Sequence, residues 1–480
     1  MRAAQALEKV IKERDSESVV EIIDGLEYVN HAFNKVVVDG YKFSATKIPK
    51  LYGVMYRASN KDSRIYKIVQ KTNSLFARKY LPLVKEFKPD VMVTTHPFTS
   101  IMCSRLREKG ITNIPLVSII TDFASHNAYI NPGVTDYIVS SIQMVDELEK
   151  IGVDRSIVHP VGIPIDPIFY EKDEQKEEHL KELGFDPSLK TILIMAGSFG
   201  VTDILKLYEN INEIDLDFQI IVITGRNKKL FDAFNSILSC NEHMRVGEAQ
   251  PNFDEDREPS RRDEKLNITK KTKLIFFTDE VHRYMHIADL IITKPGGLTV
   301  TEALASCLPM ALFRGIPGQE TDNSEYLNNN NLAVNIKKSD VSEKIYQLLK
   351  YPERLISMRE SCTRLNNKDS AYNVYDIIKN AVDSMGDIAT IKDVSEVPFM
   401  VDEMDDINEV DEESIFTEFR DFIDEYKSDI DNVDFSNDDM SEEEEEKMKH
   451  FRELFLENFR KFRGREFSLR KDSKNDKNDK

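Results

Sequence analysis

The sequence predicts an α/β protein of two doubly wound domains that face a cleft, followed by an acidic tail. Three observations predict it. Short apolar runs alternate with helical patterns in two successive series, a charged linker separates the series, and almost all of the net charge sits in one C-terminal stretch. Of the formal charge of −20, residues 401–447 carry 19, from 22 Asp and Glu against Arg420, Lys427 and Lys447. The rest of the chain is therefore nearly neutral, and a strongly acidic globule is excluded.

The first series comprises Val91–Thr95, Leu116–Ile120, Tyr137–Ser140 and Ile157–Ile163, which are read as buried strands of a domain over 1–165. A polar linker, 166–190, follows. The second series comprises Thr191–Ala196, Gln219–Thr224, Lys273–Phe277, Asp289–Thr293 and Met310–Phe313, in a domain over 191–370. Runs without polar alternation, placed between helices, imply parallel sheets covered on both faces. Within the second domain, 249–272 mixes acids, bases, Pro and Asn and is expected to be a mobile surface loop. A helix over 371–385 closes the folded part. Beyond it, 386–480 is expected to be mostly disordered. A possible amphipathic helix at 448–463 carries Phe451, Leu454, Phe455, Phe459 and Phe462 at helical spacing. Such a helix docks on the body or on a partner, with a membrane surface as the alternative.

Cys103, Cys240, Cys307 and Cys362 have no paired or CxxC spacing and read as reduced, structural cysteines. No apolar run is long enough to span a bilayer, so a cytoplasmic protein with at most peripheral membrane contact is expected.

The strongest chemical signal is Ile291–Leu304, IITKPGGLTVTEAL. A strand ending near Lys294 turns through Pro295, Gly296 and Gly297 into a helix. Glycines let a backbone approach a ligand, and free N–H groups at a helix start suit a diphosphate. Glu302, one turn in, is placed to take both hydroxyls of a ribose. Taken alone, the Gly-Gly turn is equally a tight strand–helix connection. The following Gln319, Glu320 and Asn323 offer donors and acceptors suited to sugar hydroxyls, or else cap a helix.

KPGGLTVTEAL followed by PGQETDN resembles the donor-site signature of glycosyltransferase family 28. Met195–Gly200 (MAGSFG), Thr121–His126 (TDFASH) and the GIPI of 162–165 resemble its diacylglycerol branch, which includes monogalactosyldiacylglycerol synthases and processive diacylglycerol glucosyltransferases. The resemblance implies a GT-B fold, with a nucleotide sugar in the second domain and an acceptor in the first, and inverting transfer with neither cofactor nor metal. Carried onto this chain, Glu302 would hold the ribose, Lys294, Gly296, Gly297 and Thr299 would lie by the diphosphate, and Gln319, Glu320 and Asn323 would contact the hexose. Gly197, Ser198 and Gly200 would face the leaving phosphates. Gly225, Arg226, Asn227 and Thr278 would approach the nucleoside, Arg226 being alternatively a surface cation at a strand end.

Inverting transfer needs a base for the acceptor hydroxyl and stabilised charge on the departing diphosphate. Asp122, His126 and His96, at strand ends of the first domain, are the candidate bases. For each the competing reading is structural, because Asp shapes turns and a lone His often caps or packs.

Residues 41–88 hold twelve Lys and Arg against Asp62 and Glu86, interleaved with aromatic and apolar residues. That composition suits an anionic membrane surface, with a solvated helix face as the alternative and no accompanying nucleic-acid motif. The expected activity is transfer of glucose or galactose from a UDP-sugar to diacylglycerol or another lipid acceptor. The alternatives are N-acetylglucosaminyl transfer to a polyprenyl-linked acceptor, and a non-catalytic nucleotide-sugar-binding relative. Ala3, Ala4, Leu7, Val10 and Ile11 form an amphipathic pattern from the outset. The resemblance places a strand and a G-x-G-H loop before such a helix. The first strand of the N-terminal domain is therefore expected to be missing, with about 10–25 further residues encoded upstream.

Overall fold

The computed structural model describes residues 1–29, 77, 79–195, 201–254, 257, 266–313, 315, 318–385 and 390–392. The Gly-rich 197–200, most of the basic stretch 41–88, the middle of 249–272 and the tail with its candidate helix at 448–463 lie outside the described residues.

The first domain opens with α1 (Arg2–Arg14), whose Ala3, Ala6, Leu7 and Val10 are buried along one stripe. Its sheet is parallel, in the order β1 (Met92–Thr94), β2 (Leu116–Ile119), β3 (Asp136–Ile138), β4 (Val158–His159). Between β1 and β2 runs α2 (Pro97–Glu108), started by Pro97 in the first turn, where its missing N–H is harmless. Leu116 and Ile120 join one core cluster, while Val117 and Ile119 face the other, as the two-residue strand period dictates. β4 is shorter than the apolar run predicts, because Pro160 has no N–H to give to the ladder.

The linker is not featureless. It contains a helix, α3 (Lys176–Glu182), and Leu180 and Phe185 bury into the core of the second domain. That domain has six parallel strands in the order β10-β9-β8-β5-β6-β7: β5 (Lys190–Met195), β6 (Phe218–Ile223), β7 (Thr272–Ile275), β8 (Leu290–Thr293), β9 (Met310–Phe313) and β10 (Ala333–Ile336). On β5, Ile192 and Ile194 enter one cluster and Leu193 the other; on β6, Ile220 and Val222 oppose Ile221 and Ile223. Both faces are thus covered, and each such side chain contributes about 1.5–3 kcal/mol of burial. β10 has no counterpart in the predicted series; it is an edge strand whose Asn335 is exposed, which breaks the apolar run.

Three helices frame the C-terminal ends of these strands: α4 (Lys228–Ser239), α5 (Gly297–Ala305) and α6 (Gln319–Asn329). The last described helix, α7 (Ser370–Met385), returns to the first domain. There Val374 and Ile378 pack with Leu7, Val117 and Ile138. Two parallel α/β domains with the closing helix crossing back constitute the GT-B arrangement.

Among the described residues β1 pairs with β2 on one side only. Beside its other edge lies a cavity of about 450 Å³, bounded by α1, by 19–26 and by 91–96. Two buried hydroxyls on its wall, Thr94 Oγ1 and Tyr80 Oη, have no hydrogen-bond partner among the described residues. Among the described residues no helix is long and apolar enough to cross a membrane.

Candidate active site

The site forms where the loop after β2 meets the turn after β8. Gly297 begins α5, and a Cβ there would lie 1.9 Å from the Thr121 carbonyl oxygen and 3.1 Å from Asp122 Oδ1. The two domains therefore touch at a position where only glycine fits. The N-cap of α5 is Gly296, which has no side chain to bond the first N–H groups of the helix. This is the terminus the sequence assigns to the diphosphate.

Asn323 on α6 is fully buried and crosses the seam. Its Oδ1 accepts from the Phe123 N–H at 2.7 Å, and its Nδ2 donates to Asp122 Oδ1 at 2.9 Å and to the Pro295 carbonyl at 3.0 Å. The sequence places Asn323 against the hexose; here its amide joins the Asp122 loop to the Pro295 turn. Phe123 stacks on Tyr326 of α6 with ring centroids 5.0 Å apart, which strengthens the same seam. Burial pushes the Asp122 carboxyl above its usual range, the Asn323 hydrogen bond opposes the shift, and Glu320 adds to it.

Glu320 is buried at the start of α6, with Oε1 3.9 Å from Lys294 Nζ. Gln319, beside it, is half-buried. Gly318, at φ 103°, supplies the left-handed turn that aims this helix start at the Pro295 turn. Glu302 projects from α5 with its side chain 3 % exposed, and burial pushes its carboxyl up to about 7, with Arg2 opposing. Gly296 is the N-cap of the same helix, and Thr299 lies in its first turn.

The nucleoside candidates gather at the ends of β6 and β7. Gly225 turns at φ 60°. Asn227 caps α4 by accepting from the Leu230 N–H at 3.1 Å. The Arg226 guanidinium lies over the exposed Phe277 ring, 4.8 Å from its centroid. Thr278 Oγ1 accepts from the Glu280 N–H at 3.0 Å.

The two histidines have structural tasks. His96 Nδ1 accepts from Phe98 N–H at 3.4 Å at the start of α2, and His126 Nδ1 accepts from Ala128 N–H at 3.1 Å. His96 lines the cavity beside β1, and desolvation takes its pKa down to about 4, partly offset by Asp24. Its ring is neutral at pH 7, with Nδ1 engaged. Of the three candidate bases, Asp122 is bonded across the seam to Asn323 of the second domain. Sequence reasoning did not find Arg2, whose guanidinium meets Glu302 from 300 residues away; no local pattern signals such a pair. Among the described residues no three metal-binding side chains cluster.

Two family models match in succession. Residues 1–165 match monogalactosyldiacylglycerol (MGDG) synthase, and 176–367 match glycosyl transferases group 1. The chain is 28 % identical over 297 residues to a processive diacylglycerol β-glucosyltransferase of Bacillus pumilus, covering 62 % of this chain and 70 % of the relative. It is 33 % identical over 245 residues to the Staphylococcus epidermidis protein of the same description, covering 51 % and 54 %. The alignments thus span from about half to about seven-tenths of these relatives' length. Among solved structures it is similar to Acinetobacter baumannii MurG, with TM-score 0.44 and 14 % identity over 63 % of this chain and 77 % of that one. With a match on each side of the linker, this chain is similar to monogalactosyldiacylglycerol synthases over its first domain, to group 1 glycosyl transferases over its second, and to processive diacylglycerol β-glucosyltransferases along about half or more of its length.

Proposed function

We propose that this chain is an inverting glycosyltransferase that moves a hexose from a UDP-sugar to diacylglycerol. The observation that carries the reading is the seam itself. Asp122 of the first domain is held by Asn323 of the second, directly beside the uncapped start of α5.

The acceptor hydroxyl oxygen attacks the anomeric carbon as the bond from that carbon to the diphosphate oxygen breaks. The proton goes to Asp122, and UDP leaves with the bonding electron pair. Burial that raises the Asp122 pKa makes it a stronger base, and the Asn323 hydrogen bond fixes its orientation. The α5 N-terminus stabilises charge on the leaving diphosphate. Glu302 takes the ribose hydroxyls, and Gln319 and Glu320 face the hexose. Gly225, Arg226, Asn227 and Thr278 lie by the nucleoside.

The acceptor is a membrane lipid, so the first domain docks peripherally on the cytoplasmic face of an anionic bilayer, using the basic stretch that includes Lys79, Lys85 and Lys88. Assays of UDP-glucose, UDP-galactose and UDP-N-acetylglucosamine side by side with diacylglycerol liposomes test the reading. A glycolipid product from either of the first two is expected. Donor binding with no product from any of the three would overturn it.

A further inference from the structure

Arg2 opens α1, the first helix of the acceptor-side domain, yet its guanidinium reaches a carboxylate of the other domain. Nη1 lies 2.7 Å from Glu302 Oε1 and 2.8 Å from Oε2, and Nη2 lies 3.4 Å from Thr299 Oγ1. The partners differ in environment: the Glu302 side chain is 3 % exposed and that of Arg2 52 %. A half-exposed guanidinium from one domain thus meets a buried carboxylate of the other. The contact is also directional. One nitrogen bridges both oxygens, which fixes the plane of the carboxylate and leaves each oxygen a further lone-pair site for a hydroxyl donor.

We propose that Arg2 is a positioning residue for the nucleotide-sugar donor, holding the Glu302 carboxylate in place from across the domain seam. The proposal rests on Glu302 as the ribose-binding group. A carboxylate can accept from two ribose hydroxyls only when ionised and correctly turned. Burial opposes the ionisation, and Arg2 is the cation that favours it. Because Arg2 rides on the first domain, donor affinity depends on the two domains being in contact. The first domain therefore takes part in donor binding without touching the sugar.

The test is titration of the full chain with UDP and with 2′-deoxy-UDP, across pH 6 to 9, in Arg2→Ala, Arg2→Lys and Glu302→Ala variants. Arg2→Ala is expected to lower UDP affinity about tenfold at pH 7, with most of the loss recovered at pH 9, where Glu302 ionises unaided. Arg2→Lys restores part of the affinity at pH 7. The effect on 2′-deoxy-UDP is several-fold smaller, since one of the two hydroxyls is gone. In turnover assays Arg2→Ala raises donor KM and leaves kcat within about twofold.

If Glu302→Ala weakens UDP while Arg2→Ala leaves affinity and pH profile unchanged, the role of Arg2 is overturned and the ribose assignment stands. If Glu302→Ala leaves UDP affinity unchanged, the ribose assignment itself fails. A loss in Arg2→Ala that is equal for both nucleotides and constant with pH would make Arg2 a merely structural contact and overturn the proposal. Arg2→Lys, which keeps the cation, guards the test against a misfolded alanine variant.

Discussion

Asp122 and Asn323 lie 201 residues apart in the chain and 2.9 Å apart in space, in different domains. The same asparagine binds the backbone of Phe123 and of Pro295, so one side chain ties the loop after β2 to the turn after β8. Several expectations follow from this seam and its neighbours.

Replacing Asp122 by Asn keeps an oxygen for the Asn323 amide but removes the base. Turnover with diacylglycerol is expected to fall about 10²–10⁴-fold, the usual scale for a lost general base. UDP affinity is expected to stay within about twofold. Wild-type turnover in this variant would remove Asp122 from the chemistry.

Asn323→Ala leaves the Phe123 N–H and the Pro295 carbonyl without their buried partner. A loss of at least about 2 kcal/mol of stability is expected from these stranded groups, read as a lower midpoint in urea unfolding. Donor affinity falls with it, since the seam loosens. An unchanged midpoint would mean that the seam is held by other contacts.

Glu302→Gln probes the pH dependence. With its carboxyl up at about 7, Glu302 is largely protonated below that pH, so wild-type UDP affinity is expected to fall as pH drops through 7. The glutamine variant should bind UDP weakly, by roughly 1–3 kcal/mol, and show little pH dependence between 6 and 8. For folding the sign is opposite. Burial disfavours the charged form, so the contribution of Glu302 to stability is most favourable at low pH and is lost as pH rises from the unfolded value through 7. Without nucleotide, Glu302→Gln is therefore expected to gain stability relative to the native chain at pH 8. Calorimetric titration and thermal unfolding at pH 6 and 8 read both effects.

Gly297→Ala places a methyl against the Thr121 carbonyl. The domains must separate to admit it. Both UDP affinity and turnover should fall at least tenfold while each domain keeps its own core. Intact activity would mean that the loop after β2 yields easily.

The cavity beside β1 carries the last expectation. Among the described residues its wall holds two unpartnered hydroxyls and β1 has no neighbour on that side, and an open edge of a buried parallel sheet is unfavourable. A Val- and Ile-rich strand of about five residues, joined to Met1 by a short Gly-containing loop, should therefore raise the unfolding temperature by several degrees. It should also slow amide exchange in β1. No change in either measure would show that the slot does not accept a strand.

The two strand series, the KPGG turn and the helix starting at Gly297 were legible in the sequence, because apolar runs and glycines act locally through the strand period and backbone freedom. So were the position of Asp122 just after a strand and that of Glu302 one turn into the helix after the KPGG turn. The linker helix and β10 were not, since Leu180 and Phe185 take their burial from the surrounding domain rather than from their neighbours in the chain, and the exposed Asn335 interrupts the apolar run of β10. Tertiary structure alone decided which polar groups meet. It turned Asn323 to Asp122, assigned His96 and His126 to helix starts, and brought Arg2 to Glu302 across 300 residues. The reason is physical: propensity and periodicity depend on residues a few positions apart, whereas the partner of a buried charge depends on which surfaces the packed domains bring into contact.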